Sequence, residues 1–595
     1  MAISLGSGRV MRVTAWAAVL VTLVGFSVPG HRPALPTEYF DSPLRNDLLL
    51  AGNFAEMRAN HFHSGLDLKT DGREGLPIHA AAEGWVSRIK VSPYGYGNAL
   101  YVEHPNGYTT VYGHLRSFAE PYADYVRKLQ YARERFDLDI YPREGEFPVA
   151  RGAEIARSGN TGGSFGPHLH FEIRETAGQA PVNPLLFDFD IVDTIPPRIF
   201  RVKVYPAGPS SHLNLAGSAS ASAMAGRSID PVVIGVTEGS AQGEYSLDSG
   251  LIGAFGEIVF GIETHDYHND SNNRLGTWRI MLEANGALLF RSTLERVAFN
   301  ETRYINAHVD YAERQTNGHW IQRSHMLPGN RLPYYEVAEG GRLNVRPDST
   351  YHMRYVVEDA AGNTSTLTFT VKGEEAIDFS RLDQQPPDAV IPRQEAFTFA
   401  RREIRVQFDA NTFYADQPFD YELLPATAGA LSLVHQIHED TAPLHKPMSV
   451  SIRADGLAQD LRSKALLGTL DDDGKIVSAG GGYANGFVTG RPRSFGRYFI
   501  VADTVAPAVA LLGVSADGRP ASNSVLEIRA TDDLSGLRAY NAYFDGEWAL
   551  LEYDAKKNML RHHLRERPSA GKHEFSVVVD DNKENLTRRA FEVVY

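Results

Sequence analysis

Three separated segments carry side chains whose types suit metal-assisted chemistry. His168-Leu169-His170 lies in a β-type run, and positions i and i+2 of a strand face the same way, so two imidazoles stand side by side. One can hold a metal while the other handles a proton. About a hundred residues earlier, His63-Ser64-Gly65-Leu66-Asp67 offers a histidine and a carboxylate of shared parity, and Tyr112-Gly113-His114-Leu115 lies between the two. A catalytic zinc site keeps three protein ligands and leaves a position for water. His63, Asp67 and His170 would supply those ligands, with Gly65 keeping bulk away from the metal. Bound Zn2+ would bring the pKa of its water toward neutrality and polarise a scissile carbonyl. His114 and His168 would then orient or deprotonate that water and stabilise the oxyanion. Spacing leaves open which of them does which.

Composition narrows the choices. The 595 residues are 43% hydrophobic and 22% charged, as in a soluble globular protein of several domains. The formal net charge of −14 argues against a sequence-independent grip on nucleic acid. Cysteine is absent. Disulfides, thiolate metal sites and a cysteine nucleophile are thereby excluded, and a transition metal must be held by histidine and carboxylate.

The elements that must position the histidines are mainly strands. Residues 39–190 are dense in short β-type runs such as Gly84–Val91 and Ala99–Glu103, punctuated by Tyr-Gly, Pro-Asn-Gly and Asp-Gly. An insertion at 117–148 breaks the pattern. There Pro121 opens a helix in which Tyr122, Tyr125, Val126, Leu129 and Phe136 fall near helical spacing. Downstream, Asp193-Thr194-Ile195-Pro196-Pro197 is echoed by Asp503-Thr504-Val505-Ala506-Pro507, and Asp359-Ala360-Ala361-Gly362-Asn363 by Asp581-Asn582-Lys583-Glu584-Asn585. Such bookends around alternating strands predict immunoglobulin-like β-sandwiches at 193–372 and 504–595, with a β-rich domain at 373–503 between them. At the N-terminus, Arg9 and Arg12 precede an apolar run from Val13 to Val28. That run is shorter than the ~20 residues of a membrane span, so residues 1–30 are expected to be a signal peptide rather than a retained anchor. The expected location is the periplasm or cell envelope, with no stable membrane span after cleavage.

The motifs closely resemble the lysostaphin/LytM-type zinc endopeptidases. The resemblance rests on Asn60–Asp67, Tyr112–Leu115 and Ser158–Ile173, with Gly97-Asn98 and Val182-Asn183-Pro184 in support. It implies a compact antiparallel β domain over 39–190 and hydrolysis of peptide bonds in peptidoglycan stems or cross-links. Carried over residue by residue, the family's metal ligands fall on His63, Asp67 and His170, and its catalytic histidines on His114 and His168. Peptidoglycan peptides are then the expected partners, with envelope proteins meeting the sandwich domains. A second reading is a non-catalytic LytM-like regulator that activates a separate amidase; the complete set of five residues weighs against it.

Other polar runs carry less. His61 is expected to face solvent or support a ligand, and Glu172, on the face of His170, could orient it. The run His265-Asp266-Tyr267-His268-Asn269-Asp270 reads as a polar turn, as do Asp359 with Asn363 and Asp532 with Asp533.

Overall fold

A computed structural model describes residues 35–595 apart from 215–226, 378–385, 516, 523, 565 and 567; the expected signal segment 1–30 lies outside the described residues. The chain is mainly β, in agreement with the punctuated alternating runs. No helix among the described residues is long and apolar enough to cross a membrane.

The first sheet contains β1 (Leu50–Gly52), β2 (Leu66–Lys69), β3 (Gly84–Val91), β4 (Asn98–Glu103), β5 (Tyr108–Leu115), β6 (Leu138–Ile140) and β7 (His168–Glu175). Their order is β1-β2-β7-β5-β4-β3-β6, antiparallel throughout. Strand β7 is central. Leu169, Phe171 and Ile173 fill one face of it, and the polar residues His170, Glu172 and Arg174 are buried on the other. A strand with both faces covered must satisfy its polar side chains internally. Register does the positioning: His170 lies opposite Asp67 of β2 and Gly113 of β5, and His168 lies opposite Lys69.

Within the insertion, α1 (Tyr122–Arg133) buries Tyr122, Val126 and Gln130. It ends earlier than the apolar spacing predicts, because Glu134 takes a left-handed conformation (φ 45°) whose N–H returns to carbonyls of the last turn. Phe136 therefore lies outside the helix. It packs instead against the hydrophobic cluster of the C-terminal region, where Tyr131 also meets Trp548 edge-on at 5.3 Å.

Downstream, β8 (Glu244–His265) runs through a twelve-stranded sheet together with β9 (Thr350–Glu358) and β10 (Thr364–Gly373). The pairing of β8 with β10 is parallel. Two five-stranded sheets follow, and then two four-stranded sheets that share a core of Leu526, Ile528, Leu560, Phe575 and Val577. The bookend residues meet in space. Asn363 donates to the Asp193 carbonyl at 3.3 Å, and Asn585 donates to the Asp503 carbonyl at 3.0 Å.

The first sheet is not packed alone. Phe54 and Phe62 share a buried cluster with Leu294, Val297, Ile305, Val309 and Leu332 from beyond residue 193. Burying each large apolar side chain contributes about 1.5–3 kcal/mol, so this seam is a substantial part of the stability of both regions.

Candidate metal centre

His63 Nε2, Asp67 Oδ1 and His170 Nδ1 converge at the open end of the β2–β7 pair. The two imidazole nitrogens are 3.0 Å apart, and Asp67 Oδ1 is 3.1 Å from His63 Nε2 and 2.9 Å from His170 Nδ1. All three residues are buried. Asp67 and His170 owe their meeting to strand register, but His63 sits in the link between the short strand His61–Phe62 and β2, so strand parity does not place it. Gly65 also differs from expectation. A Cβ there would stand 2.2 Å from the Phe171 carbonyl oxygen, so the glycine lets the link pass against the β7 backbone rather than clearing space for a metal.

The outward atoms of these residues are held by others. His63 Nδ1 donates to the Asn53 carbonyl at 2.8 Å, which leaves Nε2 with its lone pair directed inward. Arg58 holds Asp67 Oδ2 at 2.6 Å, leaving Oδ1 for the centre. His170 Nε2 donates to Glu172 Oε1 at 2.7 Å, so His170 presents Nδ1. Glu172 is fixed in turn by Arg174 and, at 2.7 Å, by Ser64. An imidazole–carboxylate pair behind a ligand fixes its tautomer and raises its basicity. Two imidazoles and a carboxylate with these inward lone pairs fit a divalent metal.

His114 and His168 flank the three, their ring centroids 4.8 Å apart. His114 donates from Nδ1 to the Thr161 carbonyl at 2.8 Å, and His168 from Nδ1 to the Gly166 carbonyl at 2.8 Å. His168 Nε2 is buried without a hydrogen-bond partner, 3.3 Å from Asp67 Oδ1. His114 adopts φ 58°, which turns its ring out of the regular β5 alternation.

Electrostatics sort the group. Burial lowers His63 to about 4 despite the nearby Asp67, and burial with the charges of His170 and His168 lowers His114 to about 3; both are neutral imidazoles at physiological pH. His170 behaves oppositely. Burial opposes its protonation, but hydrogen bonds to Asp67 and Glu172 push it up to about 9 in the metal-free chain. Burial likewise opposes ionisation of Asp67, yet the imidazoles that face it, with the hydrogen bond from protonated His170 Nδ1 in the metal-free chain, hold its carboxyl well below the usual range.

All five residues expected from sequence thus meet in one place, whereas His61 is exposed and directs Nδ1 to the Ala59 carbonyl. Glu172 does take the position behind His170 that its parity allowed. Arg58 and Asn53 had no such signal, since neither belongs to the histidine motifs.

Residues 61–131, which include His63, Asp67 and His114, match Peptidase family M23. The chain carries an M23 peptidase domain. His168 and His170 lie beyond the matched stretch, and β7 pairing brings them in. The DD-carboxypeptidase/endopeptidase Mpg of Neisseria meningitidis is 35% identical over 123 residues, 21% of this chain and 22% of that protein. The peptidoglycan DD-endopeptidase ShyB of Vibrio cholerae is 31% identical over 133 residues, 22% of this chain and 25% of that protein. The chain thus spans about a quarter of the length of these curated relatives, in its M23 region. A crystal structure of a zinc containing peptidase from Vibrio cholerae is 26% identical, with a TM-score of 0.18, covering 25% of this chain and 40% of that one. Residues 388–503 match a Zu5-like domain.

Proposed function

We propose that this protein is an exported, zinc-dependent endopeptidase that hydrolyses peptide bonds in peptidoglycan stem peptides or cross-links, acting in the periplasm or cell envelope to remodel the wall. The observation that carries this reading is the convergence of His63 Nε2, Asp67 Oδ1 and His170 Nδ1, with two further imidazoles beside them. The metal ligands are His63, Asp67 and His170, and the catalytic residues are His114 and His168. Relatives named as peptidoglycan DD-endopeptidases support the substrate class. Zn2+ is the metal that suits two imidazoles and one carboxylate; when bound, it polarises the scissile carbonyl and acidifies a water. The protein's own groups do the rest. His114 and His168 keep Nε2 free because Nδ1 of each is committed to a backbone carbonyl. Either can take a proton from the attacking water and return it to the departing amine.

The catalytic unit is residues 39–190, with its insertion at 117–148. Accessory β domains at 193–372, 373–503 and 504–595 position it and offer surfaces to envelope proteins. Alanine at His114 or His168 is expected to slow muropeptide hydrolysis by ~100-fold or more while zinc stays bound; alanine at His170 empties the centre. Digestion of purified peptidoglycan at the parent rate by both the His114→Ala and His168→Ala variants overturns the assignment.

A further inference from the structure

A second cluster of ligating side chains lies away from the peptidase centre, at the junction that leads out of the M23 domain. The run His265–Asp270 is not the solvated turn its composition suggests: His265, Asp266 and His268 are all buried. Asp266 and His268 follow the end of β8 and meet Asp193 of the linking segment, with one ligand atom from each residue lying within 4.8 Å of the others. The Asp193 and Asp266 side chains are each only 2% exposed and that of His268 6%. Asp193 Oδ2, Asp266 Oδ1 and His268 Nδ1 are buried with no hydrogen-bond partner. An unmet buried atom costs about 1–3 kcal/mol, and more when charged. Of the three, Asp193 Oδ2 is the one that faces His268 Nε2 and Asp266 Oδ2, and it calls for a missing partner there.

The spacing suits a cation. His268 Nε2 stands 3.3 Å from Asp193 Oδ2 and 3.5 Å from Asp266 Oδ2, yet Asp193 Oδ2 forms no hydrogen bond. Ligands arranged tetrahedrally at bonds of about 2.0–2.2 Å stand roughly 3.3–3.6 Å apart. Among the described residues, no Lys or Arg forms an ion pair with Asp193 or Asp266.

The echoing corner near the C-terminus provides an internal control. There Asp503 Oδ2 accepts from Ser535 N–H at 2.9 Å, Asp532 Oδ2 from Gly536 N–H at 2.7 Å, and Asp581 Oδ1 from Lys583 N–H at 2.7 Å. That corner meets its carboxylates with backbone. The first corner keeps backbone donors at Asp193 Oδ1 (Ile195 N–H, 3.0 Å) and Asp359 Oδ1 (Asn363 N–H, 2.9 Å), but sets His268 against Asp193 Oδ2 and leaves that oxygen unmet. Access exists as well. Asp193 and His268 line a cavity of about 100 Å³, and His268 also borders one of about 550 Å³ whose walls include Asp47, Asp190 and Asp270.

We propose that Asp193, Asp266 and His268 form a second divalent-metal site, of the zinc or manganese class, that pins the segment leaving the M23 domain to the end of β8. The imidazole favours such a metal over Ca2+ or Mg2+, which take oxygen ligands. This site is independent of the peptidase reading, since it shares no residue with that centre.

The test counts metal in the full chain by elemental mass spectrometry after chelator stripping and dialysis against Zn2+, Mn2+ or Ca2+ in separate arms. The parent is expected to hold two Zn2+. His268→Ala and the near-isosteric Asp266→Asn should each hold one, and His170→Ala should hold the one that His268→Ala has lost. Bound metal should also raise the Tm of His170→Ala but not that of His170→Ala/His268→Ala. A parent count of one, an unchanged count in folded Asp266→Asn, or filling by Ca2+ but by neither Zn2+ nor Mn2+ overturns the proposal.

Discussion

At the centre each imidazole has one nitrogen committed outward and one directed inward, and His170 differs from the rest in what holds it. Set between Asp67 and Glu172, it keeps a proton up to about pH 9 while the chain is metal-free. Its folded-state pKa is raised above 6.5, so the associated stability is fully present below about pH 6.5 and is lost as pH rises through about 9. The magnitude is on the order of 3 kcal/mol. A metal must displace that proton. Zinc titration near neutral pH, in two buffers of different ionisation enthalpy, is therefore expected to report release of about one proton, and Glu172→Gln should reduce it. No proton release from the parent would contradict the assignment of His170 Nδ1 as a ligand. Much at this scale was legible: the His-x-His pair and the parity of Glu172 follow from strand alternation. The partners that fix the other tautomers were not. Asn53 and Thr161 act through main-chain carbonyls, and a carbonyl leaves no mark on residue type.

Among the elements, the β2–β7 pair sets the geometry, since its register puts Asp67 opposite His170. Gly65 permits the link into β2 to lie against β7, where a Cβ would sit 2.2 Å from the Phe171 carbonyl oxygen. Gly65→Ala is expected to destabilise the chain by about 3 kcal/mol or more, because backbone rather than a flexible side chain must give way. Denaturant unfolding measures this, and a cost under about 1 kcal/mol would show that the link can shift. The strands were readable from their alternation and turn residues. The end of α1 was not, because Phe136 keeps helical spacing while serving a docking contact with the C-terminal core. Periodicity cannot tell an apolar residue that extends a helix from one that packs just beyond it.

Across the whole molecule, accessory regions hold the atoms that hold the histidines. Gly276 exchanges two hydrogen bonds with the Asn53 side chain, whose carbonyl accepts from His63. From the C-terminal region, Lys556 Nζ donates to the carbonyls of Asn160 and Ser164, in the loop whose Thr161 and Gly166 carbonyls fix His114 and His168. Lys556→Met is expected to lower kcat about ten-fold with zinc content unchanged, since a misplaced catalytic group loses rate before it loses metal. An unaltered kcat would show that the loop holds its shape unaided. The paired Asp and Asn bookends were visible as a sequence echo. These single contacts between regions were not, because they have no period and join residues hundreds of positions apart.

The apolar seam that joins Phe54 and Phe62 to Leu294, Ile305 and Leu332 bears on timing. A chain emerging from its N-terminus presents all five centre residues by position 170, but the partners of that seam, Leu294 to Leu332, arrive only about 120 to 160 residues later. Until they do, the segment carrying His63 has no apolar floor, and Asn53 lacks the Gly276 grip. The order of synthesis thus acts as a delay: the site is completed only after the chain that supports it has been delivered.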